Sequence, residues 1–197
     1  MASGREIVSS TEEEKTDLLQ AKLLLLSAKF GNYDFEKLLP AALAVELFSL
    51  AFKRHYYSRL PTPDSRPINF SLIIGDFYYA KALSLVSSLN DVRVVEILAQ
   101  TILSFTRGNS EELNGIERLS ELASLHQTSC WLGALVGEVD EKVAEFLKAY
   151  GVNLGILYEA KNSSRDVDKN CKNDVLKVLR FLPENDAKKE LRLLIPD

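Results

Sequence analysis

The sequence contains few residues able to bind a transition metal or to form disulfide bonds. Its 197 residues include only two cysteines, Cys130 and Cys171, and only two histidines. The cysteines lie far apart and lack the paired spacing of zinc ligands, so a zinc site would have too few soft ligands. We therefore expect both thiols to be reduced, as in a cytoplasmic protein.

Neither an excess of positive charge nor a long apolar run is present. The 24 Lys and Arg residues are outnumbered by 28 Asp and Glu residues, which gives a formal net charge of -4. No basic field would gather nucleic acid or anionic lipid. The apolar stretches at 23–26 and 40–52 fall short of the ~20 residues that a membrane span needs. The composition thus argues against nucleic-acid binding and against a transmembrane helix.

What the sequence does contain is apolar residues at helical spacing, and it shows no convincing strand pattern. We predict a flexible N-terminal segment at 1–13 and one all-α domain at 14–197, without an internal repeat. Proline at 61, 63 and 67 indicates a loop, and the Asn, Ser, Asp and Lys content of 162–173 indicates another. The predicted helices lie at 18–30, at 35–60 or 38–60, and at 70–88, 92–107, 114–136, 138–159, 174–181 and 184–194.

Five short motifs follow one another along the chain. They are Phe-Gly-Asn-Tyr-Asp at 30–34, Ala-Val-Glu-Leu at 44–47 with His55 after it, Gly-Asp-Phe at 75–77, Leu-Gly-Ala at 132–134 and Tyr-Gly-x-x-x-Gly-x-x-Tyr at 150–158. Each motif is common by chance, but the ordered series resembles the trans-type polyprenyl diphosphate synthases. The resemblance is strongest to the catalytic subunit of heptaprenyl diphosphate synthase.

The resemblance implies an antiparallel helical bundle of the isoprenoid synthase type around a central cavity. The motif Phe-Leu-Pro at 181–183 resembles a Thr-Leu-Pro after which these enzymes continue for several more helices. We therefore expect a C-terminally truncated member of this fold.

In these enzymes two facing helices carry aspartate motifs that bind magnesium, and the resemblance places both motifs here in altered form. Where the family has His-Asp-Asp-x-x-Asp, the matching residues are His55, Tyr56, Tyr57 and Leu60. Where it has Gln-x-x-Asp-Asp-x-x-Asp, they are Glu159, Asn162, Ser163 and Asp166. Because magnesium needs several hard oxygen ligands, we expect neither a bound metal nor another cofactor.

The basic residues that hold diphosphate in the family are also replaced. A Lys-Arg-x-Arg stretch corresponds to Asp-Leu-Leu-Gln at 17–20, and a Lys-Thr pair falls on Glu121 and Leu122. Of an Arg-Arg pair, only Arg66 is retained. We assign no catalytic residue and interpret the altered positions as the lining of a vacated pocket.

Three functions follow from this interpretation. The first is a noncatalytic subunit that pairs, as a homo- or hetero-oligomer, with an active prenyl diphosphate synthase in isoprenoid biosynthesis and modulates its assembly or product. The second is a helical protein that binds an isoprenoid or another lipid without catalysis. The third is a prenyltransferase with rearranged metal ligands. The family's dimer interface uses its middle helices, which predicts an interface at 92–107 and 114–136.

Overall fold

The computed structural model describes residues 18–57, 68–108, 120–162 and 169–196, and its regular structure there is entirely helical. The helices are α1 (Leu19–Ala28), α2 (Phe35–Tyr57), α3 (Ile68–Ser87), α4 (Val92–Gly108), α5 (Ser124–Val136), α6 (Glu141–Asn162), α7 (Lys169–Phe181) and α8 (Asp186–Leu193). Within these ranges, no helix combines the length and apolar character needed to cross a bilayer. The predicted segment 1–13 and loop 61–67 lie outside the described residues.

Some predicted boundaries are wrong, most clearly in the proposed loop at 162–173. Asn162 still belongs to α6, and α7 begins at Lys169. The polar residues at 169–173 form the first turns of an amphipathic helix. Its buried apolar residues Val175 and Leu179 come later in the chain. The predicted helix 114–136 is also interrupted, because a turn at Ala123 precedes α5.

Two helical hairpins of similar design form the centre of the molecule. In the first, Asp34 caps α2 by accepting hydrogen bonds from the backbone N–H groups of Glu36 and Lys37. In the second, Asp140 caps α6 in the same way, which is why α6 starts at Glu141 rather than at 138. In sequence, the two turns share only a Gly-x-x-Asp pattern at 31–34 and 137–140.

Helices α1 and α5 pack side by side and run in the same direction. Near their amino ends, the Ser129 hydroxyl donates a hydrogen bond to the buried Gln20 side chain at 2.9 Å. One turn further on, Gly133 lies directly against the backbone of Leu24, and Gly137 lies against Ala28. The missing side chains at these glycines allow the two backbones to touch.

This packing makes the helices that follow, α2 and α6, run in the same direction. Each reverses direction from its hairpin partner, so both start at the same end of the bundle, where Lys37 Nζ lies 2.7 Å from Glu138 Oε1. With 23 and 22 residues, each helix is about 33–35 Å long. Their carboxyl ends are therefore at the same level.

Glu46 of the Ala-Val-Glu-Leu motif has a structural role in the fold. Its carboxylate accepts a hydrogen bond from the backbone N–H of Ala21 at 2.7 Å, in the first turn of α1, where N–H groups have no partner within the helix. Burial raises the pKa of Glu46, and the backbone hydrogen bonds oppose that shift. The residue thus joins α2 to the start of α1.

Substituting Gly133→Ala should destabilise the fold. A Cβ at this position would overlap the carbonyl oxygen of Leu24, and overpacking of this kind costs about 1–3 kcal/mol. Urea unfolding monitored by circular dichroism would measure this loss in the free energy of unfolding. Gln100→Ala, at an exposed site on α4, is the control and should change the free energy of unfolding by less than about 0.5 kcal/mol. Equal stability of the two variants would contradict the proposed backbone contact.

Candidate functional site

The two altered aspartate motifs occupy equivalent places in the two hairpins. Tyr56 and Asn162 each follow the capping aspartate of their hairpin by 22 residues. Tyr56 and Tyr57 belong to the last turn of α2, and Asn162 is the final residue of α6. Since both helices start together and have nearly equal length, these ends share one end of the bundle. Four further positions lie outside the described residues: Leu60, Arg66, Ser163 and Asp166.

His55 is held by contacts with α3. Its Nε2 lies 3.2 Å from Asp76 Oδ1, and its side chain is about a third exposed. Gly75 packs flat against the imidazole, where a Cβ would overlap the ring. The ring of Tyr79 lies 5.2 Å from that of His55. The Gly-Asp-Phe motif therefore provides a close helix contact and a polar partner for His55.

Aromatic side chains fill the interior beneath His55. Phe52 of α2 stacks on Phe105 of α4 with ring centroids 3.8 Å apart. Tyr79 of α3 packs edge-on against Phe48 and Phe52 at 5.3 and 5.7 Å. Phe48 is fully buried and Phe52 nearly so. At this level, the space between α2, α3 and α4 is occupied by the protein's own rings.

Two positions that match diphosphate-binding residues in the resemblance now make contacts within the chain. Glu121 lies 3.5 Å from Arg107 of α4 and is largely shielded from solvent. Gln20 is buried and accepts a hydrogen bond from Ser129. Neither side chain offers a positive charge, and Glu121 would repel a diphosphate.

Burial shifts two titratable side chains toward their neutral forms. They are Glu159, near the carboxyl end of α6, and His126, in the first turn of α5. Burial raises the pKa of Glu159 to about 7. Burial lowers the pKa of His126 to about 4. The His126 ring stacks on Tyr158 at 5.7 Å, and its Nδ1 has no hydrogen-bond partner among the described residues. No sequence pattern marks His126, because its burial results from the close approach of Gly155.

The donor set does not suit the magnesium ions that the resemblance implies. Magnesium prefers several ionised carboxylates, whereas His55 has Asp76 beside it and Glu159 is half-protonated near pH 7. In the described part of the chain, no three His, Cys, Asp or Glu side chains cluster closely enough to hold a metal ion. We derive no metal-dependent step for this chain.

The fold and the paired helix ends define an all-α bundle of the isoprenoid synthase type. A decaprenyl diphosphate synthase from Rhodobacter capsulatus superposes with a TM-score of 0.79 at 16% identity, covering 100% of this chain and 93% of that one. The small subunit of geranyl diphosphate synthase from Antirrhinum majus superposes with a TM-score of 0.65 at 21% identity, covering 94% and 88%. The predicted fold class is confirmed.

Sequence similarity points to one group of synthases. Heptaprenyl diphosphate synthase component 2 from Geobacillus stearothermophilus is 27% identical over 73% of this chain and 51% of its own length. The chain thus spans about half the length of the curated relatives that it matches. No family model matches it. The predicted resemblance to trans-type polyprenyl diphosphate synthases is confirmed.

Replacing Glu159 by Gln should change how stability depends on pH. Between about pH 4.5 and 7 the folded state keeps a proton that the unfolded state has released, so wild-type stability should fall as pH rises through this window. Glu159→Gln removes this loss. The variant should therefore gain stability at pH 8, by up to about 3 kcal/mol, and little at pH 4.5.

Urea titrations at both pH values would measure this difference, with Glu96→Gln at an exposed site as the control. A stability gain of equal size at both pH values would show that the Glu159 carboxyl is not the titrating group.

Proposed function

We propose that this chain is a noncatalytic subunit that pairs with an active prenyl diphosphate synthase in isoprenoid biosynthesis and modulates its assembly or product. The observation that carries the proposal is a retained scaffold with two equivalent, altered motif positions. The described helices α2 and α6, whose ends would present the two metal clusters, carry Tyr56, Tyr57 and Asn162 at those ends. Ionising an allylic diphosphate needs divalent cations to stabilise the leaving group, and these residues do not provide the several carboxylates that such cations need.

The relatives support a subunit role. The similar Geobacillus protein is named as one component of its synthase, and a structurally similar Antirrhinum protein is named as a small subunit. A chain that keeps this fold without the ligands fits the same kind of role. Its two cysteines, one buried and one partly buried, suit a reducing compartment such as the cytoplasm.

Helix α4 offers a surface for the synthase partner. Val92, Val95 and Leu103 are exposed by 77%, 38% and 64%, and with the exposed Ala99 they follow one side of the helix. The opposite side, with Val94 and Leu98, is buried in the core. An apolar stripe of this kind on an otherwise packed helix marks an interaction surface.

The predicted interface at 92–107 therefore remains our proposal, whereas its second part at 114–136 is wrong for α5. Most side chains of that helix are buried within the chain itself, between α1, α4 and α6. Its glycines and small residues serve internal packing, so α5 cannot present an apolar face to a partner.

Co-expression with the prenyl diphosphate synthase subunit from the same source should give a complex that survives purification. Leu103→Glu should prevent complex formation, because a charge at the carboxyl end of the stripe would be desolvated without a partner. Gln100→Glu adds the same charge beside the stripe, at an exposed site, and should leave the complex intact. Affinity co-purification followed by product-length analysis would test both.

The isolated chain should give no product from labelled isoprenyl diphosphates with magnesium. Turnover by the chain alone would replace the proposal with the prenyltransferase alternative. An isoprenoid retained by the isolated chain in native mass spectrometry, without complex formation, would instead favour a lipid-binding role.

A further inference from the structure

A cleft of about 380 Å³ lies at the end of the bundle opposite the altered motifs. Three chain segments meet there: the first turns of α2, the turn from α3 into α4, and the turn from α5 into α6. Lys37 and Glu138, whose ion pair lies at the common starting level of α2 and α6, both line it. Pockets for small molecules have volumes of roughly 300–1,000 Å³. The cleft is therefore large enough for a small ligand.

The inner wall of the cleft is apolar. It is made by side chains from all three segments, which are Pro40, Leu89, Val94, Leu135 and Val136. Val94 is fully buried and Val136 nearly so, and the other three are half-buried. A ligand that covered this wall would remove apolar surface from water, which favours binding. The occupant should therefore have an apolar part.

The two cations at the rim of the cleft are already paired. Lys37 Nζ lies 2.7 Å from Glu138 Oε1. Arg93 donates to both carboxylate oxygens of Asp91, at 2.9 Å from Nε and 2.6 Å from Nη2. Arg93, and to a smaller extent Lys37, hold the pKa of Asp91 below its usual value. An anionic ligand would have to compete with these carboxylates for either cation.

The polar groups that are left at the rim are hydrogen-bond acceptors. The third acidic side chain, Glu36, is exposed and joins no ion pair within the described ranges. Pro40, one turn later in α2, has no N–H group that could donate to the Glu36 carbonyl. The Ser88 hydroxyl donates to the carbonyl of Leu85 at 2.6 Å, so its lone pairs can still accept. These groups call for a donor, and the carboxylate favours a positively charged one.

We propose that this cleft binds a small amphipathic amine, with its apolar chain on the inner wall and its protonated amino group at Glu36. Three acidic and two basic side chains line the cleft, so a single ammonium group would neutralise the charge that is left over.

A protein partner fits the cleft less well than a small molecule does. Each of the three segments places a charged side chain at the rim, whereas a stable protein contact needs roughly 800 Å² on each partner with an apolar centre. The proposal goes beyond the pairing with a synthase and does not depend on it, because no residue of the α4 stripe lines the cleft.

Nuclear magnetic resonance of the full chain tests the proposal with n-hexylammonium as the probe. The backbone amide signals of Lys37, Leu89 and Val94 should shift, with a dissociation constant of about 1 mM, as expected for so small a ligand. The uncharged n-hexanol should shift the same amides but bind about fivefold more weakly, since it lacks the charge pair. Hexanoate should leave them unshifted, because its carboxylate would be repelled by that of Glu36.

Glu36→Gln should weaken the binding of n-hexylammonium by about fivefold, the effect of one partly exposed charge pair, and should leave the binding of n-hexanol unchanged. Because the Glu36 side chain is exposed, the variant should keep the amide spectrum of the folded protein. Glu96→Gln removes the same charge from an exposed site on α4. This control variant should bind the amine as tightly as the wild type does.

Three results would overturn the proposal. The first is that n-hexylammonium leaves these amides unshifted at concentrations far above the expected dissociation constant. The second is that n-hexanol or hexanoate binds there as tightly as the amine. The third is that Glu36→Gln and Glu96→Gln have the same affinity for the amine.

Discussion

The direct backbone contact between α1 and α5 is the constraint on which the rest of the structure depends. Gly133 and Gly137 allow α5 to lie against Leu24 and Ala28, and this fixes two helical hairpins in one register. The hydrogen bond from the Asn32 N–H to the Gly137 carbonyl ties the two turns together at 2.6 Å. Because α2 and α6 begin at the same end of the bundle and have nearly equal lengths, their carboxyl ends lie at a common level. The location of the candidate site is thus a consequence of packing some 30 Å away.

Electrostatics explain why this location no longer suits magnesium and diphosphate. A site for these ligands needs acidic groups for the metal and basic groups for the phosphate. Here Glu121 pairs with Arg107, Asp76 lies beside His55, and Glu159 is largely neutral below its raised pKa. These three acidic groups are therefore paired or largely neutral, and aromatic rings take up the interior beneath His55.

The sequence alone predicted the elements with strong local signals. Gly31 and Asp34 marked the first turn, and the helical spacing of apolar residues revealed most helices, because both signals act within a few residues. The first turn of α7 was missed since its polar residues resemble a loop until Val175 and Leu179 are included. The resemblance identified the altered motif positions, but it could not show the partners of His55 and Glu121. Those contacts join residues that are distant in the chain. The burial of His126 likewise depends on a residue far from it in the sequence, Gly155.

The matched lengths of α2 and α6 limit how this chain can vary. Each added residue advances a helix by about 1.5 Å and rotates its end by about 100°. A single insertion in one of the two helices would therefore turn one helix end away from the other, while the glycine contacts at the base stayed in place. Length changes within these two helices would have to occur in both together or be absorbed in the segments that follow them. The hairpin pair thus sets a common level for two helix ends that are distant in the chain.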